Sequence, residues 1–170
     1  MTRRDLFHKW LIYALGLLPI WLLDACILPR YPVLGFVPML LPLAVAAVAV
    51  LEGAHAGAGF GMAVGLLWAL AYPGGVGSRV IGMALSGMAA GAVSQYALSQ
   101  SLPGCMICSA GVLALVDGFR VLKGLVTNAA PLPALLQVAV PEWLLSLAWA
   151  PLVYLLFRFI FRRVGGAKLA

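Results

Sequence analysis

Charge is nearly absent from the interior of this sequence, and that constrains its fold more than any motif it carries. Of the eleven lysines and arginines, seven lie in the two tails: Arg3, Arg4 and Lys9 at the start, and Arg158, Arg162, Arg163 and Lys168 at the end. Between them the chain is a succession of apolar runs punctuated by proline and glycine. Only 9% of the 170 residues are charged, whereas a soluble domain carries about 25%. So few charges could not give a body this size a solvated surface. The bilayer is the remaining solvent, and a mean hydropathy of +1.07 agrees. Runs this apolar must satisfy their own backbone groups, which favours helices. The expected fold class is an all-α integral membrane protein.

A transmembrane helix needs roughly 20 apolar residues. The punctuation predicts about six spans in one transmembrane domain covering residues 1–170, at about 10–28, 36–51, 54–72, 76–100, 104–122 and 135–161. The second is short and carries Pro38 and Pro42, so tilted, broken and partly inserted forms all stay open. Tyr72-Pro73-Gly74-Gly75-Val76-Gly77 reads as a turn, and Asn128 to Pro133 as the longest external loop. Pro141 and Pro151 are expected to bend the last helix, unless Pro141 starts it. A basic start before the run Trp10–Leu23 raises a cleaved signal peptide, and Leu23-Asp24-Ala25-Cys26 faintly resembles a lipoprotein box. Asp24 stands where a small uncharged residue is wanted, and a retained first span is the better reading.

The formal charge of +6 does not point to nucleic acid, because its distribution is that of a topology signal. With both termini in the cytoplasm, seven basic residues face inward and four (Arg30, Arg79, Arg120, Lys123) face outward. The positive-inside rule favours that orientation, with the basic tails meeting anionic lipids. Arg158, Arg162 and Arg163, interleaved with Tyr154, Phe157, Phe159 and Phe161, read as an interfacial anchor.

The sharpest pattern is Gly53, Gly57, Gly61 and Gly65, recurring every four residues in the third span. Gly87 and Gly91 answer in the fourth, flanked by Ser86, Ala90 and Ser94. Such ridges let helix backbones approach closely in lipid. One use is internal packing of the third and fourth spans; the other is a docking face for a second membrane protein.

Charges at membrane depth are costly and often functional, which makes Asp24, Asp117 and Glu142 the candidates. Each also has a structural reading. Asp24 is expected to be hydrated or paired with Arg30, Asp117 to pair with Arg120 three residues on, and Glu142 to complement a helix N-terminus. Glu52 and His55 are likewise three apart. No catalytic, cofactor or metal pattern emerges: there are two histidines, His8 and His55, and no HExxH, P-loop or nucleophile elbow. Cys105-Met-Ile-Cys108 has redox spacing, but a single CxxC in apolar company is better read as small buried hydrophobes.

Several segments together resemble the rod shape-determining protein MreD family. They are Val50-Leu51-Glu52-Gly53-Ala54-His55-Ala56-Gly57 running into Gly61-Met62-Ala63-Val64-Gly65-Leu66-Leu67-Trp68, the Gly-rich turn after it, and Val140-Pro141-Glu142-Trp143-Leu144-Leu145 followed by Ala150-Pro151-Leu152-Val153-Tyr154-Leu155-Leu156 and a basic end. The resemblance covers most of the chain through degenerate apolar motifs. Where the family often has an aspartate after Gly-Leu-Leu, this chain has Ala69, so any role of that acid does not carry over. The resemblance implies a non-enzymatic scaffold subunit of the cell-wall elongation complex in the bacterial inner membrane. Its partners would be an MreC-like protein, a SEDS glycosyltransferase such as RodA, a class B penicillin-binding protein and the MreB filament.

The alternative is the substrate-binding subunit of an energy-coupling-factor vitamin transporter, a six-helix fold that MreD is similar to. Such a subunit would show a polar or aromatic cavity near the outer face and small alanine motifs on its first helix. The first span here reads Leu11-Ile12-Tyr13-Ala14-Leu15-Gly16-Leu17-Leu18, without a repeated Ala-xxx-Ala.

Overall fold

Six α-helices account for nearly all of the described chain. The computed structural model describes residues 3–32, 35–71, 76–96, 101–129 and 131–164. The helices are α1 (Arg3–Leu22), α2 (Leu40–Glu52), α3 (Ala54–Ala71), α4 (Val76–Tyr96), α5 (Leu102–Val126) and α6 (Leu132–Val164). Past Leu22, α1 runs on through a π-turn at Leu23–Ile27 and a 3-10 turn at Leu28–Arg30. Among the described residues, three helical stretches are long and apolar enough to cross a membrane: Phe7–Arg30, Leu102–Val126 and Leu132–Arg163. Leu40–Glu52 and Ala54–Leu70 are apolar but shorter.

The short helix is the centre of the bundle. Every residue of α2 from Leu40 to Leu51 is buried, and α1, α3, α4, α5 and α6 all pack on it. Its Leu, Val and Ala side chains are apolar all round, which suits a helix with protein on every side. Pro38 lies ahead of the helix and Pro42 in its first turn, where the missing N–H has no intrahelical partner to lose. Neither proline breaks it.

The ends of the other helices follow from local chemistry. Ser101 caps α5, its Oγ accepting from the Gly104 N–H, with Pro103 in the first turn. Helix α4 is described as far as Tyr96. Most of the turn expected before it, and residues 97–100, lie outside the described residues. Helix α6 begins at Leu132 and runs through both Pro141 and Pro151. Pro141 therefore does not start it. Glu142 sits in the helix interior and not at an N-terminus, so the macrodipole role expected of it falls away.

The three long helices point much of their bulk outward. Leu11, Ile12, Leu15, Leu18 and Leu22 of α1 are exposed while Tyr13, Leu17 and Ile20 are buried. On α5, Ile107, Leu115, Phe119 and Leu122 face out, whereas Cys105, Cys108, Ser109 and Asp117 face in. Large apolar groups outside and polar groups inside is the reverse of a water-soluble bundle.

Candidate functional site

The glycine ridges meet each other. A Cβ placed on Gly57 would lie 2.5 Å from the Gly87 carbonyl oxygen and 2.6 Å from the Ala49 Cβ. One on Gly91 would lie 2.6 Å from the Ala54 Cα, and one on Gly65 2.7 Å from the Val80 Cα. Gly61 rests on the Met83 carbonyl. Side chains have no room here, so α3 and α4 touch backbone to backbone along their length. Of the two uses open to this ridge, internal packing is the one realised; it is not a free docking face. Gly53 has a different duty. Its φ of 92° turns the chain directly from α2 into α3, a left-handed conformation that a Cβ disfavours.

Two charged clusters lie at opposite ends of α2. At its C-terminal end Lys9 pairs with Glu52, and the Tyr13 hydroxyl donates to the other Glu52 oxygen at 2.8 Å. Both charged side chains are sealed, at 8% and 7% exposure. Tyr13 stacks on Phe157 at 6.1 Å, and Phe60 meets both rings edge-on at 6.4 and 5.9 Å. Lys9 is thus a buried structural cation and not an inner-leaflet charge. Its signal was the four-residue step from Lys9 to Tyr13, which puts both on one helix face. Glu52 faces Lys9 across the fold, while His55 is exposed.

At the N-terminal end of α2 the three candidate acids converge. Asp24 is buried, and its Oδ1 accepts from the Leu40 N–H at 2.8 Å. The Ser146 Oγ of α6 accepts from the Met39 N–H at 2.8 Å. Side chains from two other helices therefore satisfy the first donors of α2, as a cap of its own would. Among the described residues Asp24 forms no ion pair with Arg30; a buried amide of α2 claims it instead. Arg120 reaches Asp117 at 3.3 Å, the expected pair, and extends to Glu142 at 3.0 Å. That second contact joins α5 to α6, as does the Trp143 indole donating to the Ala110 carbonyl at 3.1 Å.

This end is open. A cleft of about 860 Å³ lies between α2, α4 and α5, bordered by Asp24, Met39, Trp68, Arg79, Phe119, Arg120, Lys123 and Glu142. Arg79 lies over the Trp68 ring, 5.9 Å from its centroid. Arg120 and Lys123 are exposed at its edge and Arg79 is half-buried, beside walls that include Trp68, Phe119 and Met39. Among the described residues, no three His, Cys, Asp or Glu side chains are placed to hold a metal ion. Cys105 and Cys108 are buried, the first against the Ser109 Oγ at 3.8 Å and the second donating to the Ala90 carbonyl at 3.6 Å.

The last turns of α6 carry the basic–aromatic pattern. Arg158 lies 5.9 Å from the Tyr154 centroid and Arg163 4.7 Å from that of Phe159, with Arg162 exposed. Lys168 lies outside the described residues. Comparison of the chain with protein-family models, curated proteins and solved structures yields no match.

Proposed function

We propose that this chain is a polytopic membrane subunit with about six spans. Its helix bundle holds partner proteins of the cell-wall elongation complex in register, as its resemblance to MreD implies. The observation that carries the membrane part is the inverted polarity of the bundle. Leu, Ile and Phe side chains clothe α1, α5 and α6, while Asp24, Glu52, Asp117, Glu142 and the serines Ser86, Ser94, Ser109 and Ser146 turn inward. In lipid that arrangement buries polar groups where they have partners and leaves apolar surface in its preferred solvent. The basic end of α6 would lie at the cytoplasmic leaflet.

With the glycine seam used inside the fold, the surfaces left for an MreC-like protein are the outward faces of the long helices and the loops. The synthases, a SEDS glycosyltransferase and a class B penicillin-binding protein, would join through that assembly, alongside the MreB filament. Co-purification from membranes in mild detergent tests this. The expected result is recovery of an MreC-like protein with a penicillin-binding protein; recovery of paired ATPases with a coupling subunit would overturn it.

One observation favours the second reading, a substrate-binding subunit of an energy-coupling-factor transporter. The 860 Å³ cleft, with aromatic and charged residues at its edge, is the kind of cavity such a subunit requires. The same co-purification separates the two.

A further inference from the structure

The three acids at the N-terminal end of α2 are not equally served. Asp24 takes the Leu40 N–H at 2.8 Å, and Glu142 takes Arg120 at 3.0 Å. Asp117 has only the longer Arg120 contact, 3.3 Å to its Oδ1. Its Oδ2 is buried and has no hydrogen-bond partner among the described residues. The residue is 6% exposed and lies on the inward face of α5 with Cys108, Ser109 and Leu113. It does not border the cleft.

Arg120 cannot serve both of its acids fully. One nitrogen, Nη1, makes both contacts and also lies 3.9 Å from the Met39 sulfur. The side chains of Asp117 and Glu142 are 9% and 12% exposed, that of Arg120 50%. Two buried acids thus share one nitrogen of a cation that is half in solvent. No second cation contacts Asp24, Asp117 or Glu142 among the described residues. The surrounding elements do not redress that balance. On α4, Arg79 lies over Trp68. On α5, Lys123 is exposed and Cys108 donates to the Ala90 carbonyl. Helix α2 presents only apolar side chains from Leu40 to Leu51.

An ionised oxygen sealed without a donor is costly, and a group so placed neutralises instead. Neighbouring carboxylates push the same way, because each disfavours the charge of the next. Of the three, Asp117 has the weakest donor and the most to gain. We propose that Asp117 is a proton-binding site, holding its proton in the folded chain where an exposed aspartate has lost it. The step is a simple uptake: an O–H bond forms on the carboxylate with a proton from water, and the charge of the site rises by one. Arg120 is then left to Glu142, so the bridge from α5 to α6 is strongest with the proton bound. This site rests on burial inside the bundle and is independent of which partners the bundle meets.

Infrared spectroscopy of the full chain in mild detergent tests it at about pH 6, roughly two units above the ordinary aspartate value. A protonated-acid carbonyl band is expected, distinct from the bands of ionised carboxylates. Isotopic labelling of aspartate carboxyls should shift it, which separates Asp5, Asp24 and Asp117 from Glu52 and Glu142. The band should persist in Asp5→Asn and Asp24→Asn and vanish in Asp117→Asn. The label and the first two variants assign it even where Asp117→Asn does not fold. Absence of the band, indifference to the label, or loss in Asp5→Asn or Asp24→Asn overturns the proposal.

The melting temperature gives a second reading. The folded chain binds this proton more tightly than the unfolded chain, so raising the pH from about 6 to about 8 should cost the wild type more than Asp117→Asn. Equal losses would mean that Asp117 is ionised throughout, and the site would fall.

Discussion

The two ends of α2 carry the same kinds of group and use them differently. At the C-terminal end Lys9, Glu52 and Tyr13 are enclosed by Phe60 and Phe157, and neither charged side chain exceeds 8% exposure. At the N-terminal end Arg120 serves two carboxylates while half exposed, at the edge of an open cleft. A sealed pair can only hold helices together, because nothing reaches it. An open cluster holds helices and still presents charge to a visitor. Asp24 and Ser146 make that openness tolerable, since they satisfy the first amides of the buried helix beside it.

The sealed end should be the more sensitive. Glu52→Ala strands Lys9 in an enclosed site and is expected to cost about 3–5 kcal/mol, read as a lower melting temperature in detergent. Lys9→Met combined with Glu52→Leu should recover most of that loss, because replacing both members leaves no orphaned charge. A single-site cost no larger than that of Arg120→Ala would erase the distinction between the ends.

Gly57→Leu and Gly61→Leu should come next, at about 1–3 kcal/mol or more from forced separation of α3 and α4. Gly82→Leu on the open side of α4 should be close to neutral by the same thermal measurement. Equal effects would mean that the seam is not close-packed. Asp24→Ala removes the acceptor for the Leu40 N–H and should cost about 1–2 kcal/mol. The signature would be faster amide exchange confined to the first turn of α2. Arg120→Ala should be the mildest, about 1 kcal/mol or less at a half-exposed site, with a loss that shrinks as salt is raised.

What could be read in advance divides by distance along the chain. Proline and glycine act on the residues beside them, and the observed helices fall close to the six expected runs. The repeat at Gly53, Gly57, Gly61 and Gly65 and the step from Asp117 to Arg120 lie within single helices, so periodicity exposes them. Pairings between helices leave no such trace. Lys9 meets Glu52 across 43 positions, and Ser146 meets Met39 across 107. The shortness of α2 and its two prolines leave its path open in the sequence; that five helices surround it is a matter of contacts between helices, which periodicity does not record. Proline commonly begins a helix, which points Glu142 to an N-terminus; α6 runs through Pro141 and places it in the interior.

Gly53 leaves the chain no slack between α2 and α3. One residue makes the whole connection, and a Cβ there would also meet the Gln95 side chain of α4. Since α3 is zipped to α4, these three helices must shift together or not at all. A substitution that lengthened or stiffened this one-residue link would therefore move the wall that α4 gives to the open cleft.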